Sequence, residues 1–374
     1  MSRSIGVFSM TDANVRLPKT IAAIQRGLDA RLHIGAQLYV SLRGEVIADE
    51  ALGLARDGVP MQRDTLMLWL SAGKPISAVA VAQVWERGLL DLDDPVARHI
   101  PEFAANGKDI VTVRHILTHT GGFRALLGHW EGKSWDEVIA ALSNSRLEPR
   151  WVPGQTAGYH PITSWYLLGE LVRRLDGRAF DRYVREMIFE PIGMTDSWIG
   201  MPAERYRAYG DRIGLMHEIR NGQAVANYTL DREEVATQTR PPSNARGPIR
   251  ELGLFYEMLL KRGEKTLRPQ TVEAMTARHR VGMYDKTFRH VIDWGLGFVL
   301  QSNQYGVDTV PYGYGPHASP RTFGHSGSRS SIGYADPEHG LVVACLFNGA
   351  PDEAKHDARM REVNAAIYED LKLV

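Results

Sequence analysis

The sequence predicts an α+β protein in which strands from both ends of the chain form one antiparallel sheet covered by helices. Strand patterns occur over residues 36–51 and again over residues 321–347, whereas the segment between them is mainly helical and irregular. The run Leu341–Phe347 is continuously apolar, which indicates a strand with both faces covered. With 374 residues, the chain exceeds the usual size of a single hydrophobic core, so we expect two subdomains.

Periodicity and turn residues predict the individual elements in chain order. Apolar residues at helical spacing indicate a helix over residues 16–31, and strands over 36–42 and 45–51 meet at Arg43-Gly44 in a tight hairpin. A second helix is expected to begin at Ser71 and to end before Gly88. The later predictions are a helix over 163–174, strands over 321–324, 330–334 and 340–347, and a helix over 358–371. We expect the helices at the two chain ends to cover the sheet.

Composition and charge argue against several classes of protein. Lys and Arg together number 44, as do Asp and Glu, so the basic excess typical of a nucleic-acid-binding protein is lacking. Residues 1–10 contain no apolar stretch of the length of a secretory signal, and no apolar run is long enough to span a bilayer. The single cysteine, Cys345, is expected to be a buried small hydrophobic residue. These features predict a cytoplasmic protein without nucleic-acid or membrane partners, and they leave its oligomeric state open.

Ser71 and Lys74 stand three residues apart at the predicted start of the second helix, so they share one of its faces. A serine hydroxyl is a poor nucleophile, but a nearby amine can activate it if burial lowers the pKa of that amine. The apolar residues that follow would supply the burial. A serine helix cap followed by an exposed lysine fits the same four residues, so the motif alone leaves both interpretations open.

Tyr159 lies in a turn just before the helix over residues 163–174 and could face the same cleft. Its phenol could relay a proton if a neighbouring cation lowered its pKa. A tyrosine at the edge of the core is the alternative interpretation. A second segment, residues 324–328, has glycines that let a substrate approach the backbone, and its N–H groups could form an oxyanion hole with that of Ser71.

Other patterns in the sequence permit different chemistry. The segment that ends at Ser328 nearly matches the nucleophile elbow G-x-S-x-G, but a strand rather than a helix is predicted to follow. His115 and His119 have the spacing of two metal ligands, but no Glu follows His115 and no third ligand is evident. Asp94 and Pro95 are expected to begin a helix as cap and first residue rather than to bind a metal. We therefore expect neither a metal nor a cofactor.

A series of motifs between Gly44 and Asn348 follows the order found in one enzyme superfamily. They are residues 71–74 as S-x-x-K, 89–96 as L-x-L-D-D-P-V, 117–122 as L-T-H-T-S-G, 191–196 as P-L-G-M-x-D, and 324–327 at the position of K-T-G or H-x-G. By these motifs the chain resembles the class C β-lactamase-like branch of the serine β-lactamase and DD-peptidase superfamily. This branch also contains family VIII carboxylesterases, D-aminopeptidases and acyltransferases.

The resemblance implies an α/β sandwich and a role for each site residue. Residues 1–95 and 311–374 would form the sheet domain and residues 96–310 an inserted helical domain, with the active site at their interface. Ser71 would be the acylated nucleophile, Lys74 the group that removes its proton, and Tyr159 the acid and base that serves the leaving group. Backbone N–H groups of Ser71 and Ser328 would form the oxyanion hole. The residues expected to bind substrate are His325, Ser326, Gly327 and Ser328.

Two departures from the motifs of this branch bear on the substrate. Pro161 stands where penicillin-recognising members have the Asn of Y-x-N, and His325 replaces the Lys of K-T-G. Both missing groups serve recognition of β-lactams and peptides, and neither belongs to the nucleophile. The resemblance therefore implies a mechanism through an acyl-enzyme, whereas the two departures argue against penicillins and peptidoglycan as substrates.

The leading hypothesis is a serine hydrolase or acyltransferase that acts on small esters or amides, with water, an alcohol or an amine as acyl acceptor. A β-lactamase or D-amino-acid peptidase is the alternative within the same superfamily. A non-catalytic binding protein on this scaffold and a metallohydrolase that uses His115 and His119 are hypotheses of other classes. The identity of the acyl donor and acceptor is not predicted from the motifs.

Overall fold

A computed structural model describes residues 16–124 and 132–374 of the chain. The prediction that residues 1–10 carry no secretory signal falls outside the described residues. The helices are α1 (Pro18–Asp29), α2 (Lys74–Glu86), α3 (Val113–Leu117), α4 (Trp135–Asn144), α5 (Thr163–Asp176), α6 (Phe180–Val184), α7 (Ala203–Tyr209), α8 (Tyr228–Asp231), α9 (Glu233–Ala236), α10 (Ile249–Leu260), α11 (Pro269–Thr276) and α12 (Glu353–Asp370).

The strands are likewise numbered in chain order. They are β1 (Gly35–Leu42), β2 (Glu45–Arg56), β3 (Val59–Pro60), β4 (Met67–Leu68), β5 (Trp198–Ile199), β6 (His217–Arg220), β7 (Gln223–Ala226), β8 (Ala245–Gly247), β9 (Tyr284–Asp285), β10 (His290–Val291), β11 (Val299–Leu300), β12 (Phe323–Gly327), β13 (Ser331–Asp336), β14 (Leu341–Phe347) and β15 (Gly349–Ala350). Most predicted elements recur with shifted ends. The last helix, for example, begins one turn earlier than predicted because Asp352 caps it by accepting a hydrogen bond from the backbone N–H of Lys355.

The main sheet has the strand order β11-β12-β13-β14-β1-β2-β3, and every neighbouring pair is antiparallel. At its centre β1 pairs with β14, with Ala36 opposite Phe347 and Leu42 opposite Leu341. Strands from the two ends of the chain therefore lie side by side. The predicted α+β class, with its antiparallel sheet built from both chain ends, is confirmed.

Both faces of the sheet are covered, as the apolar run of β14 predicts. Alternate residues of this strand enter two separate hydrophobic clusters, with Val342 in one and Val343 in the other. Helices α1 and α12 contact each other and belong to the cluster of Val343, so the two terminal helices cover the same face. The other face is covered by α10, which packs on β1, β13 and β14 and was not among the predicted helices. Cys345 is fully buried, and burial raises the pKa of its thiol to about 12.

The division into residues 1–95 with 311–374 and residues 96–310 stays a prediction. Two elements from within the predicted insertion nevertheless belong to the sheet layer, since β11 pairs with β12 and α10 packs on the central strands. A continuous hydrophobic cluster also joins α2, α5 and α10 to one face of the sheet. Within residues 16–124 and 132–374, no helix combines the length and apolar character needed to cross a membrane.

The segment at Asp94 differs from its prediction. Pro95, not Asp94, directly precedes the short 3-10 turn Val96–Arg98, and no side chain caps that turn. The Asp94 carboxylate instead accepts a hydrogen bond from the backbone N–H of Asp91 and pairs with Arg98 and His99. The carboxylate is therefore used in local ion pairs rather than as a helix cap.

Candidate active site

Ser71 lies in the 3-10 turn Leu70–Gly73, which leads directly into α2. Gly73 occupies the cap position of α2 and no side chain caps the helix, so the interpretation of Ser71 as a helix cap is wrong. Leu70 has a φ angle of 52°, a left-handed conformation that is uncommon for a residue with a side chain. The chain therefore bends sharply just before Ser71.

Strand β12 packs directly against this turn. A Cβ atom at Gly327 would lie 2.3 Å from the carbonyl oxygen of Trp69 and 2.2 Å from the hydroxyl oxygen of Ser331. The hydroxyl of Ser331 donates a hydrogen bond of 2.6 Å to the same carbonyl. Gly327 thus permits the close approach that places residues 325–328 beside Ser71.

Lys74 is buried directly behind Ser71. Its Nζ lies 2.6 Å from the Oγ of Ser71, and it also donates a hydrogen bond to the carbonyl of Pro242. Lys74 is only 1% exposed, and burial lowers the pKa of its amine well below the usual value. No described carboxylate forms an ion pair with it. The neutral amine that results can donate to the carbonyl and accept the proton of the hydroxyl.

Tyr159 reaches the same place from the turn before α5. Its hydroxyl makes no hydrogen bond to any described residue, although it lies near Ser71, and Lys74 Nζ is 5.6 Å from the centre of its ring. Burial raises the pKa of the phenol, and the nearby Ser71 hydroxyl opposes this only weakly. The condition that a neighbouring cation lowers this pKa is not met, because burial is the largest influence and raises it. Tyr159 is therefore a protonated phenol at neutral pH.

A segment that sequence reasoning missed holds Tyr159 in place. The backbone N–H of Tyr159 donates to Asp285, and Thr287 donates its hydroxyl to the carbonyl of Tyr159, at 3.0 and 2.8 Å. Asp285 is fully buried and pairs with buried Arg280 at 3.0 Å. The ring of Phe288 stacks on that of Tyr159 with 4.9 Å between centres. No motif marks these residues, because their role depends on a contact across more than 120 positions of the chain.

The histidines considered as metal ligands are used in local hydrogen bonds. His115 Nδ1 accepts from the backbone N–H of Thr112 and so helps to cap α3. His119 is buried, and its Nδ1 accepts from the backbone N–H of His160 at 3.1 Å. Within residues 16–124 and 132–374 there is no group of three or more His, Cys, Asp or Glu residues that could hold a metal ion.

His325 faces Ser71 from β12 as a neutral imidazole. Its Nδ1 donates to the carbonyl of Ser326 at 2.8 Å, which leaves Nε2 as a buried acceptor without a partner among the described residues. Burial lowers the pKa of His325 to about 3. Ser326 and Gly327 lie on the same strand, and Ser328 follows it at the surface. A turn and then β13 come next, so the segment lacks the helix of a nucleophile elbow, as predicted.

A cavity of about 470 Å³ opens at Ser71. The predicted site residues that line it are Ser71, Tyr159, His325, Ser326 and Ser328, together with Pro161. The further lining residues that the sequence did not predict include Thr287, Phe288, Tyr312, Glu353 and Asp357. The structure thus gathers residues from four distant parts of the chain around one hydroxyl.

Comparison with known proteins then decides the family. The family model described as Beta-lactamase matches residues 21–366. The chain belongs to the Beta-lactamase family. The predicted superfamily is therefore confirmed, and the matched range includes every residue of the site described above.

Relatives within the Beta-lactamase family carry several names. The esterase/beta-lactamase LipL of Mycobacterium tuberculosis is 26% identical to this chain over 366 residues, which cover 90% of this chain and 82% of LipL. The esterase EstB of Burkholderia gladioli is 32% identical over 212 residues, which cover 50% of this chain and 52% of EstB. A penicillin-binding protein homologue from Caulobacter crescentus has a similar structure, with a TM-score of 0.79, 29% identity and coverage of 95% of this chain and 97% of that one.

A family VIII carboxylesterase is also similar, with a TM-score of 0.78, 25% identity and coverage of 94% of this chain and 97% of that one. The fold and the predicted class of enzyme, a serine hydrolase of the Beta-lactamase family, are confirmed by these likenesses. The roles of the individual site residues stay predictions.

Proposed function

We propose that this Beta-lactamase-family protein cleaves small carboxylic esters through an acyl-enzyme formed on Ser71. The observation that carries the proposal is the buried amine of Lys74, which lies 2.6 Å from the Ser71 hydroxyl and whose pKa burial lowers well below the usual value. A neutral amine at that distance is a competent general base. The proposal assigns proton removal to Lys74 because its amine forms a hydrogen bond with the Ser71 hydroxyl, whereas Tyr159 is a protonated phenol with a raised pKa.

In the first half-reaction the Ser71 oxygen attacks the ester carbonyl while its proton passes to Lys74. The developing oxyanion is bound by the backbone N–H groups of Ser71 and Ser328. The leaving alkoxide receives a proton from the Tyr159 hydroxyl, and the proton held by Lys74 restores the phenol. In the second half-reaction water, an alcohol or an amine attacks the acyl-enzyme and the same groups act in reverse. Water as the acceptor gives an esterase, and an alcohol or amine gives an acyltransferase.

The two departures from the motifs of penicillin-recognising members favour substrates without a carboxylate. Pro161, on the wall of the cavity, has neither a side-chain amide nor an N–H with which to hold an acylamido group. His325 is neutral, since its pKa is about 3, and supplies no positive charge for a substrate carboxylate. We therefore expect short-chain neutral esters to be processed better than penicillins or D-alanyl peptides. A cytoplasmic location stays a prediction from the sequence.

Two measurements test the proposal. Intact-mass analysis after treatment with a fluorophosphonate should show one adduct, which is lost in Ser71→Ala and unaffected by a chelator. The value of kcat/KM for p-nitrophenyl butyrate should exceed those for nitrocefin and for a D-alanyl-D-alanine peptide. Labelling that persists in Ser71→Ala would place the nucleophile elsewhere, and nitrocefin as the best substrate would contradict the argument from Pro161 and His325.

A further inference from the structure

The described charged residues that line the cavity, Glu353 and Asp357, are both acidic. Glu353 and Asp357 lie one turn apart on α12, so both carboxylates are on the same face and line the cavity. The described lining residues include no lysine and no arginine. Such a cavity repels a substrate carboxylate and attracts a positive charge.

The geometry of Tyr312 shows that these carboxylates are held in position. The hydroxyl of Tyr312 donates a hydrogen bond to Glu353, and its backbone N–H donates to Asp357 at 3.4 Å. Tyr312 has a φ angle of 56°, a left-handed conformation that its neighbours must maintain. Its ring and that of Phe288, 6.1 Å apart, are both on the cavity wall. Aromatic faces beside carboxylates are the usual surroundings of a bound ammonium group.

The cations nearest to Glu353 and Asp357 pair mainly with other carboxylates or lie at a distance. Arg329 lies 4.0 Å from Glu353, but it also pairs with Glu218 and donates to the carbonyl of Pro351. Arg361 acts on Asp357 only from a distance, and Lys355 pairs with Asp352. Among the described residues, none forms an ion pair with Asp357. Burial and the nearby charge of Glu353 both raise the pKa of Asp357, which a bound cation would reverse.

Two buried polar atoms independently indicate that the cavity receives a ligand. The hydroxyl of Tyr159 and Nε2 of His325 have no hydrogen-bond partner among the described residues, and their residues are 7% and 3% exposed. Both residues line the same cavity as Glu353 and Asp357. Buried polar groups without partners are costly unless a ligand or water satisfies them.

We propose that the preferred substrates are esters that carry an ammonium group, bound between Tyr312, Phe288, Glu353 and Asp357. This inference rests on the proposed esterase function and specifies its substrate class. The cationic group belongs either to the acyl part or to the leaving alcohol, and one pair of esters for each case distinguishes them.

The test compares cationic esters with neutral esters of the same shape. The first pair is acetylcholine and 3,3-dimethylbutyl acetate, which differ in the charge of the leaving alcohol. The second pair is the p-nitrophenyl esters of 4-(trimethylammonio)butanoate and 5,5-dimethylhexanoate, which differ in the charge of the acyl group. In at least one pair, kcat/KM for the cationic ester should be about tenfold higher or more, and high salt should reduce the difference.

Variants of α12 complete the experiment. In the double variant Glu353→Gln/Asp357→Asn, the ratio of cationic to neutral kcat/KM should fall to near one. Glu362→Gln/Glu369→Gln is the matched control, because it also removes two carboxylates from α12, at exposed positions where they pair with Arg26 and Lys19. The ratio should be unchanged in this control.

A neutral fluorophosphonate that labels Ser71 separates the two possible failures. Labelling without a preference for either cationic ester, or a preference that survives in the double variant, would overturn this inference alone. Absence of both labelling and ester turnover would overturn the proposed function, and this inference with it. Melting curves of the double variant show whether a lost preference comes from unfolding.

Discussion

Lys74 Nζ lies 2.6 Å from Ser71 Oγ, in a pocket that excludes solvent from the amine. An exposed lysine in the same position would be charged at pH 7 and unable to accept a proton. Burial removes that charge at a cost to the stability of the fold, because the unfolded chain binds a proton that the folded chain does not. The same contact thus links the reactivity of the serine to the stability of the protein.

Replacement of the nucleophile tests the assignment of Ser71. Ser71→Ala should lower kcat for p-nitrophenyl butyrate by about 10⁴-fold or more, because no acyl-enzyme can form. The change in the free energy of unfolding should be about 1 kcal/mol or less, since Ser71 caps no helix and loses a single hydrogen bond. Steady-state kinetics and urea unfolding measure both effects. A folded Ser71→Ala variant with substantial turnover would refute the assignment.

Substitution of Lys74 should separate activity from stability. Lys74→Arg should be nearly inactive, because a guanidinium stays protonated. Lys74→Met should also be inactive but should have a higher Tm than the wild type, since it removes the cost of a buried amine while filling a similar volume. Lys261→Met, at an exposed position of the chain, is the control and should keep full activity. A Lys74→Met variant that melts below the wild type would contradict the burial argument.

The pH dependence of the wild-type enzyme follows from the lowered pKa of Lys74. The Lys74 amine becomes protonated, and cannot act as a base, as the pH falls through its lowered pKa; above that pKa it is available as a base. We therefore expect kcat/KM for a neutral ester to fall as the pH is lowered through the pKa of this amine, and to level off well below the ordinary lysine pKa of about 10.4. A continued tenfold rise per pH unit from pH 8 to 10 would show that the amine has an ordinary pKa.

The phenol of Tyr159 should matter for kcat more than for substrate binding. Tyr159→Phe keeps the ring stacked on Phe288 but removes the only hydroxyl assigned to the leaving group. We expect kcat to fall by about 10² to 10⁴-fold with a small change in KM. Tyr183→Phe removes another buried tyrosine hydroxyl, away from the cavity, and serves as the control. Equal activity of the two variants would leave Tyr159 a structural residue.

Buried histidines should make the protein sensitive to mild acid. Burial lowers the pKa of four of them to about 3, and these are His33, His160, His325 and His356. Below pH 6.5 the unfolded chain takes up protons at these positions and the folded chain does not, so stability should fall as the pH falls from 6.5 toward 3. Each histidine contributes a slope of about 1.4 kcal/mol per pH unit.

Urea unfolding between pH 5 and 7.5 measures this slope. His356→Gln keeps an acceptor for the hydrogen bond from Arg359 and removes one titrating group. It should therefore reduce the dependence of the unfolding free energy on pH by the contribution of one histidine. Stability that does not change between pH 7.5 and 5 would show that these side chains titrate normally in the folded protein.

The strands, helices and site residues that could be predicted from the sequence are those marked by patterns of neighbouring residues. Alternation and apolar runs predicted the strands of both chain ends, and helical periodicity predicted α2 and α5. The motifs around Ser71, Tyr159 and His325 predicted residues that line one cavity. Each of these signals lies within a few neighbouring residues.

The rest depends on contacts between distant parts of the chain. The left-handed backbone at Leu70 has no signature, because leucine rarely adopts it and the packing of β12 against the turn maintains it. In the sequence, Arg280 and Asp285 have the character of an ordinary polar loop. Only the fold shows that they form a buried ion pair and that Asp285 accepts a hydrogen bond from the backbone N–H of Tyr159. The raised pKa of Tyr159 could not be predicted from the sequence because burial, which dominates it, is a property of the assembled core.

The nucleophile and the acidic residues of the cavity differ in what a substitution would change. Ser71 and Lys74 lie where a turn, a strand and a buried helix meet, and substitutions there should abolish the proposed chemistry rather than change the substrate. Glu353 and Asp357 occupy the first turns of α12, which is held to the sheet by other residues farther along its length. Descendants of this gene could therefore exchange the charge of the cavity by point mutations on one helix face, and so acquire new substrates without rebuilding the nucleophile.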